Sequence, residues 1–341
     1  MDSSQLLALT GAMAGKKVVV VGDVVADEFV YGRVARVSRE APVLILEYDS
    51  MDIVPGGAGN AANNVAALGG RPVLVSVVGR DMPGRQLIAA LHRRVDSRHL
   101  LRVSGSPTPV KTRILAGGVH SAKQQVVRID RVSNGSLTAA DRQRFEAAAC
   151  AATAPADAVL VSDYGLGAVT PALVRRLLRT RSRAGRERPV LVDSRYAATT
   201  YPGVTASTPN ESEVEQVLGV KIGDDRKALE EAGREMLRRT ATKALLITRG
   251  SRGMALFEPE RPTRHIPIFG SDEVADVTGA GDTVIAAMTL ALAAGASFYE
   301  AARLANYAGG LVVMKRGTAT VSPDELRAAV RHDFGRVRPR G

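Results

Sequence analysis

Asp276-Val-Thr-Gly-Ala-Gly-Asp282-Thr-Val284 is the stretch on which the reading of this 341-residue chain turns. It runs into VIAAMTLALAA, residues 284–294, which is Ala- and Leu-rich as a buried helix is. The residues before it, Gly270-Ser-Asp-Glu-Val-Ala275, read as a loop with a short extended piece. Thr278 to Gly281 is then expected to be a tight turn that opens a helix, with the unpaired N–H groups of the first turn pointing outward. Such a terminus attracts anions, because free donors and the helix dipole act together. Gly279 and Gly281 allow unusual dihedrals and close approach of a ligand to the backbone. Asp282 follows directly, where a carboxylate can take the proton of an attacking hydroxyl. Donors for a transferring phosphoryl group beside a base for an alcohol are the parts of a kinase site. A Gly-rich turn with Asp282 as an ordinary first-turn acid is the plain alternative, and the short motif alone does not separate the two.

The rest of the chain supplies a frame for that turn. Lys17–Gly22 (KVVVVG) is β-branched and continuous, as a buried parallel strand is, and delivers Asp23 and Asp27 at its carboxyl end. Residues 28–54 change to short extended runs, and residues 107–131 do so again. Together they predict a small inserted sheet. Pro55-Gly56-Gly57-Ala-Gly-Asn60 leads into AANNVAALG, a helix closed by Gly69; a strand VLVSVVG and a helix from Gly84 to Val95 follow. From Ala139 onward helix and strand alternate. The expected fold class is α/β, a mostly parallel central sheet with helices on both faces and a small β-sheet lid.

Composition bounds the function classes. Hydrophobic residues at 45% and charged ones at 24% are those of a globular protein with ample core. Cys150 is the single cysteine, which excludes a disulfide framework and a cysteine-based zinc site. The start, MDSSQLLALTGAMAGKK, does not read as a signal peptide, and no apolar stretch is long enough for a bilayer. The expectation is a cytoplasmic protein without a membrane partner. Net charge is +11, yet with no Trp and 4% aromatics there is no stacking platform among the arginines, so nucleic acid is not expected either. The excess charge still helps to attract nucleotides and sugar phosphates. The five histidines show no ligand spacing.

Two further segments, taken with the opening turn, make the set specific. Gly56-Gly57-Ala-Gly-Asn60, Asn210-Glu-Ser-Glu213 and Gly279-Ala-Gly-Asp282 stand in the order of the motifs of the ribokinase-like (PfkB-type) carbohydrate kinases, and the chain resembles that family over roughly residues 16–330. Within it, the phrases GDVVADEFVYGRVARVSREAPV, PTPVKTRIL, KQQVVRID, SDYGLG and VVMKRGTATVSPDEL resemble the kinase domain for D-glycero-β-D-manno-heptose 7-phosphate, of ADP-heptose biosynthesis. Two departures concern the sugar. That group carries Asp-Tyr-Gly-Lys-Gly and Val-Asp-Pro-Lys, where this chain has Asp163-Tyr-Gly-Leu166-Gly167 and Val192-Asp193-Ser194-Arg195. The residues after 330, 331–341, read as a basic unpatterned tail.

The resemblance implies a role for each segment. Asp282 is the general base, the amides of Ala280, Gly281 and Asp282 form the anion hole, and Gly279 belongs to the same catalytic turn. Asn210 and Glu213, at i and i+3 on one helical face, order the water of Mg²⁺ beside the phosphates of ATP; capping the helix is the plainer role for Asn210. Thr248, Gly250 and Gly253 belong to the nucleotide loop, and Asn306 to the adenine pocket. Asp276, Thr278, Gly317 and Thr320 offer oxygens to a monovalent cation, K⁺. Asp23, Asp27, Gly56, Gly57 and Asn60 are implied to bind sugar hydroxyls. Lys111, Arg113 and Arg128, with Gln125, are candidates for a substrate phosphate, Lys111 and Arg113 falling on one face of a strand. The expectation is an ATP-dependent sugar kinase, homodimeric through its lid. A kinase for another sugar or a nucleoside, and a non-catalytic sugar or nucleotide binder, are the alternatives.

Overall fold

The computed structural model describes residues 2–117, 123–132, 137–180, 187–197, 199–270, 276–315 and 317–336. The chain opens with α1 (Ser3–Ala12), β1 (Lys17–Gly22), β2 (Val24–Val37), β3 (Leu44–Gly57), α2 (Ala58–Ala67), β4 (Arg71–Gly79), α3 (Met82–Ala89), β5 (Asp96–Val103), β6 (Val110–Gly117) and β7 (Gln124–Arg131). The alternating part holds α4 (Ala139–Thr153), β8 (Ala158–Asp163), α5 (Pro171–Arg179), β9 (Val190–Ser194), β10 (Ala206–Ser207), α6 (Glu211–Leu218) and α7 (Arg226–Thr240). It closes with β11 (Ala244–Thr248), β12 (Met254–Phe257), β13 (Arg264–Ile266), α8 (Ala280–Ala293), α9 (Phe298–Val313) and α10 (Pro323–Arg336).

Among the described residues the strands form two sheets. The large one runs β13-β12-β11-β10-β9-β8-β1-β4-β5, parallel except at β12 and β13. β1 sits inside it, paired to β4 and β8, and its valines 18–21 are wholly buried, which is why this segment reads as an unbroken apolar run. Because valines of a strand alternate faces, Val18 and Val20 pack with α2, α8 and α9, while Val19 and Val21 pack with α4 and α5. α8 is apolar all round and lies buried between the sheet and α9. None of the helices among the described residues is long and apolar enough to cross a membrane.

The second sheet, β3-β2-β6-β7, is the inserted lid. It is mixed rather than antiparallel, because β6 lies parallel to β2. It also reaches further than residues 28–54, since β2 and β3 begin and end at Val24 and Gly57, beside the large sheet. Two other expectations change. The helix expected from Gly84 to Val95 starts at Met82 and stops at Ala89, because Asp81 accepts the Gly84 N–H at 2.9 Å and Pro83 sets the first turn. Edge strand β5 follows it; half-covered and carrying arginines, it lacks the alternation that marks a strand. The tail is patterned as far as Arg336: it continues α10, where Val330 is buried and Asp333 pairs with Arg303 at 2.8 Å. Residues 271–275 of the expected loop and 337–341 of the expected tail lie outside the described residues, as do 118–122 and 181–186.

Candidate active site

The turn before α8 takes the expected form. Gly279 is left-handed, φ +77°, and a side chain there would lie 2.4 Å from Asn60 Nδ2, so glycine is required twice over. Among the described residues the N–H groups of Gly281 and Asp282 have no acceptor, but that of Ala280 donates to Val277 O at 3.2 Å. Of the three amides expected in the anion hole, those of Gly281 and Asp282 stand open and that of Ala280 is engaged within the turn. Asp282 is 3% exposed, and its two oxygens have different partners. Asn60 Nδ2 donates to Oδ2 at 2.8 Å, and the Tyr164 hydroxyl donates to Oδ1 at 3.1 Å. Burial pushes the Asp282 carboxyl up to about 7, against the pull of those two hydrogen bonds. A buried carboxylate poised near neutrality is what a general base needs.

Asn60 is thus turned to the base rather than toward open space. Its orientation is fixed from behind: Asn64 Nδ2 donates to Asn60 Oδ1 at 3.0 Å, and Thr283 Oγ1 donates to Asn64 Oδ1 at 2.9 Å. Two more residues of the expected hydroxyl-binding set have protein partners. Both oxygens of Asp23 are spent on the loop after β8, accepting the N–H of Tyr164, Leu166 and Ala168. Burial nevertheless raises that carboxyl to about 6. Asp27 pairs with Arg113, both nearly buried. Gly56 and Gly57 form the wall beside them; a side chain at Gly56 would strike Asp27, and one at Gly57 would meet the Asp23 carbonyl at 2.5 Å.

That pairing changes the count of lid cations. Lys111, Arg113 and Arg128 do share one face, as the register of β6 with β2 and β7 dictates. Arg113 is neutralised by Asp27 and Arg128 by Asp130, and Gln125 lies exposed on β7. Lys111 has no ion pair among the described residues; its ammonium lies 5.0 Å from the centre of the Tyr164 ring. Burial and the charge of Arg195 lower its pKa.

On the other side of Asp282 two cavities of about 230 and 210 Å³ meet, sharing Thr248, Val277 and Gly281. The first is lined by Tyr164, Asp193, Arg195, Thr208, Asn210 and Glu213. The second is mainly apolar: Met254, Ile268, Val284 and Val313 surround Gly250, Gly253, Gly309, Gly310 and Asn306. Asn306 Nδ2 donates to Pro267 O at 2.9 Å, which ties α9 to that wall. Asn210 and Glu213 make a reciprocal capping box at 2.9 Å in each direction, and Glu213 still lines the first cavity. Burial raises the Glu213 carboxyl, and burial followed by the charges of Glu213 and Asp282 raises Asp193 well above the carboxylate range. The four residues expected to hold a monovalent cation are tied elsewhere in part. Asp276 accepts the N–H of Thr278 at 2.8 Å and of Gly317 at 3.1 Å, and the Thr320 carbonyl accepts from Lys315 Nζ at 2.7 Å.

The model of the pfkB family carbohydrate kinases matches residues 16–325. The chain belongs to that family. This kinase is 41% identical over 332 residues to the bifunctional protein HldE of Trichlorobacter lovleyi, covering 97% of its own length and 66% of the relative's. HldE of Caulobacter sp. strain K31 is 42% identical over 323 residues, 94% of this chain and 64% of that one. The kinase thus spans just under two thirds of the curated relatives it matches. Solved structures confirm the fold at low identity. Ribokinase of Arabidopsis thaliana complexed with ribose and ATP has a TM-score of 0.71 at 20% identity, covering 93% of this chain and 99% of that one. Phosphofructokinase-2 of Escherichia coli with fructose-6-phosphate has a TM-score of 0.71 at 18% identity, covering 94% and 99%.

Four residues of this cleft and its supports were absent from the sequence-derived set: Tyr164, Asp193, Thr208 and Asn64. Tyr164 and Asp193 lie within segments already singled out, SDYGLG and VDSR, but no spacing connects them to a residue more than eighty positions away. Arg195, noted only as a departure, lines the first cavity.

Proposed function

We propose that this carbohydrate kinase transfers the γ-phosphoryl group of ATP to a hydroxyl of D-glycero-β-D-manno-heptose 7-phosphate, giving the 1,7-bisphosphate. The observation that carries the reading is the position of Asp282, a buried carboxylate where a nucleotide-sized cleft meets a cation-bearing lid. Asp282 takes the proton of the sugar hydroxyl, and the N–H groups of Gly281 and Asp282 face the charge that develops on the transferring phosphoryl. The adenine lies among Met254, Ile268, Val284, Asn306 and Gly310, and the phosphates run past Thr248 and Gly250. Lys111 and Arg195 draw the phosphate of the substrate. They support an anionic sugar even though Leu166 stands where the heptose kinases carry Lys. Asp23 and Asp27 act one step behind, shaping the loop and the lid around the sugar.

Asp193 and Glu213 would suit a hard divalent cation, because both carboxyls line one cleft, burial raises both, and the charge of Glu213 raises Asp193 further, a cost that a bound cation would relieve. Mg²⁺ bound there neutralises charge on the nucleotide phosphates. Asp276, Thr278, Gly317 and Thr320 would hold a K⁺ ion only if Lys315 released the Thr320 carbonyl, and a rate series in potassium tests this. We read residues 16–330 as one kinase domain, the lid being its inserted part. A homodimer through the lid is supported by its exposed apolar side chains, among them Val37, Tyr48, Met51, Val127 and Ile129. Register puts Met51, Val127 and Ile129 on the face opposite Lys111, so pairing two lids leaves the cations facing the cleft.

The test is ATP turnover with heptose 7-phosphate beside unphosphorylated heptose, fructose, ribose and a nucleoside. A preference for the sugar phosphate supports the proposal. Preference for a neutral acceptor leaves the kinase and removes its substrate; ATP bound without turnover on any acceptor means a binding protein.

A further inference from the structure

We propose that Tyr164 is a positioning residue of the phosphoryl transfer, setting the Asp282 carboxylate and the lid cation Lys111 in register with one another. The proposal rests on the reading of Asp282 as the base. Tyr164 follows β8 in the large sheet, Lys111 belongs to β6 in the lid, and Asp282 opens α8, so three separate elements meet at one phenol. Its hydroxyl donates to Asp282 Oδ1 at 3.1 Å, and the Lys111 ammonium stands 5.0 Å from its ring centre. Its own N–H is held by Asp23 Oδ2 at 2.9 Å. A side chain at Gly57 would come within 3.3 Å of the ring, so the wall on that side is bare backbone. Tyr164 is therefore fixed at its backbone and enclosed at its ring, with its polar end aimed at the base.

The physical consequence concerns direction. An ionised carboxylate has about four acceptor positions on two oxygens. Asn60 occupies one on Oδ2 and Tyr164 one on Oδ1, which fixes the plane of the group and leaves a free lone pair for the sugar hydroxyl. Without the phenol, the carboxylate is held from one side and turns about its last bond. An ammonium over the ring also strengthens the phenol as a donor, so a lid that carries Lys111 onto the ring tightens the grip on the base. The charges that face Asp282 are Asp27 from β2, Lys111 from β6 and Asp193 from β9.

Tyr164→Phe keeps the ring, its packing and the Lys111 contact while removing the hydroxyl. With ATP and heptose 7-phosphate, kcat should fall about ten- to a hundredfold while KM for the sugar stays within about threefold, the pattern of an interaction made in the transition state. The acidic limb of kcat/KM should move to higher pH, since the lost donor had favoured the ionised carboxylate. Lys111→Met should cost less in kcat when made in Tyr164→Phe than in the wild type, because the two act as one unit. Wild-type kcat and an unmoved limb in Tyr164→Phe, beside an active wild type, overturn this inference alone. So do losses that simply multiply in the double variant. A wild type that phosphorylates none of the sugars defeats the reading of the base, and the inference falls with it.

Discussion

The turn that opens α8 and the lid sheet meet at the same cleft, yet they are built on opposite terms. At the turn the polar groups are locked into one another: Asp282 to Asn60 and Tyr164, Asn60 to Asn64, Asn64 to Thr283, around a glycine that no other residue can replace. In the lid, two of the three expected cations are tied to neighbouring acids, and apolar side chains lie open on the outer face. The turn carries chemistry common to the family and tolerates no slack. On the proposed reading the choice of acceptor rests on Lys111 in the lid and on Arg195 at the end of β9 in the large sheet, rather than on a dense cluster. On that reading the difference teaches that reaction and substrate are set by separate parts of the molecule, which meet at Tyr164.

Substitutions on the two sides should therefore separate rate from preference. The largest effect is expected at the base. Asp282→Asn should retain ATP binding and lower kcat by roughly two to four orders of magnitude, measured in single-turnover assays. Gly279→Ala should follow. A methyl group there displaces Asn60 and with it the base, and misplacement on the order of 1 Å costs about a hundredfold in kcat. Both losses should be equal for every acceptor, which is how the turn would show its indifference to the sugar.

Lid variants should do the reverse. Lys111→Ala should lower kcat/KM for heptose 7-phosphate by about ten- to a hundredfold and cost an unphosphorylated sugar only the smaller share that passes through Tyr164 to the base. Arg113→Ala breaks a nearly buried pair with Asp27 and should cost about 3 kcal/mol of stability, read as a lowered denaturation midpoint, with less effect on preference. Equal selectivity losses at Lys111 and Arg113 would break the distinction between free and paired cations. The smallest effect belongs to Leu166→Lys. Its backbone N–H stays on Asp23, so turnover should persist and the KM for the sugar phosphate should fall by no more than about tenfold.

Much of this frame was legible because local chemistry dictated it. KVVVVG has no other home than a strand covered on both faces, and Gly279-Ala-Gly-Asp282 before an apolar helix reads as a turn with open donors. The lid showed itself as two runs of strand pattern in a βα chain, and it is one sheet. What stayed hidden depends on pairing at a distance. Nothing local tells that the Asn60 amide serves Asp282 more than two hundred positions later, or that Asp23 spends its carboxylate on three N–H groups of the loop after β8. Lys111 and Arg113 look alike in PVKTRIL; the register sets Asp27 beside Lys111, yet its carboxylate takes the guanidinium of Arg113 two positions on, and Lys111 is left without an ion pair among the described residues. Edge strand β5 was missed because an edge, half in water, needs no alternation.

The central claim is that one buried carboxylate, held near neutrality by its surroundings, is the base of this kinase. The direct measurement is the pH dependence of kcat/KM for heptose 7-phosphate at saturating Mg²⁺ and ATP. Asp282 must be ionised to accept a proton, so the rate should climb with rising pH, with a one-proton slope centred at about 7, and then level off. The ionisation of the sugar phosphate, near about 6, lies lower and is common to every variant. The residual rate of Asp282→Asn should lack the limb at 7. A wild-type profile flat from pH 5 to 9, or the same limb surviving in Asp282→Asn, would contradict the assignment.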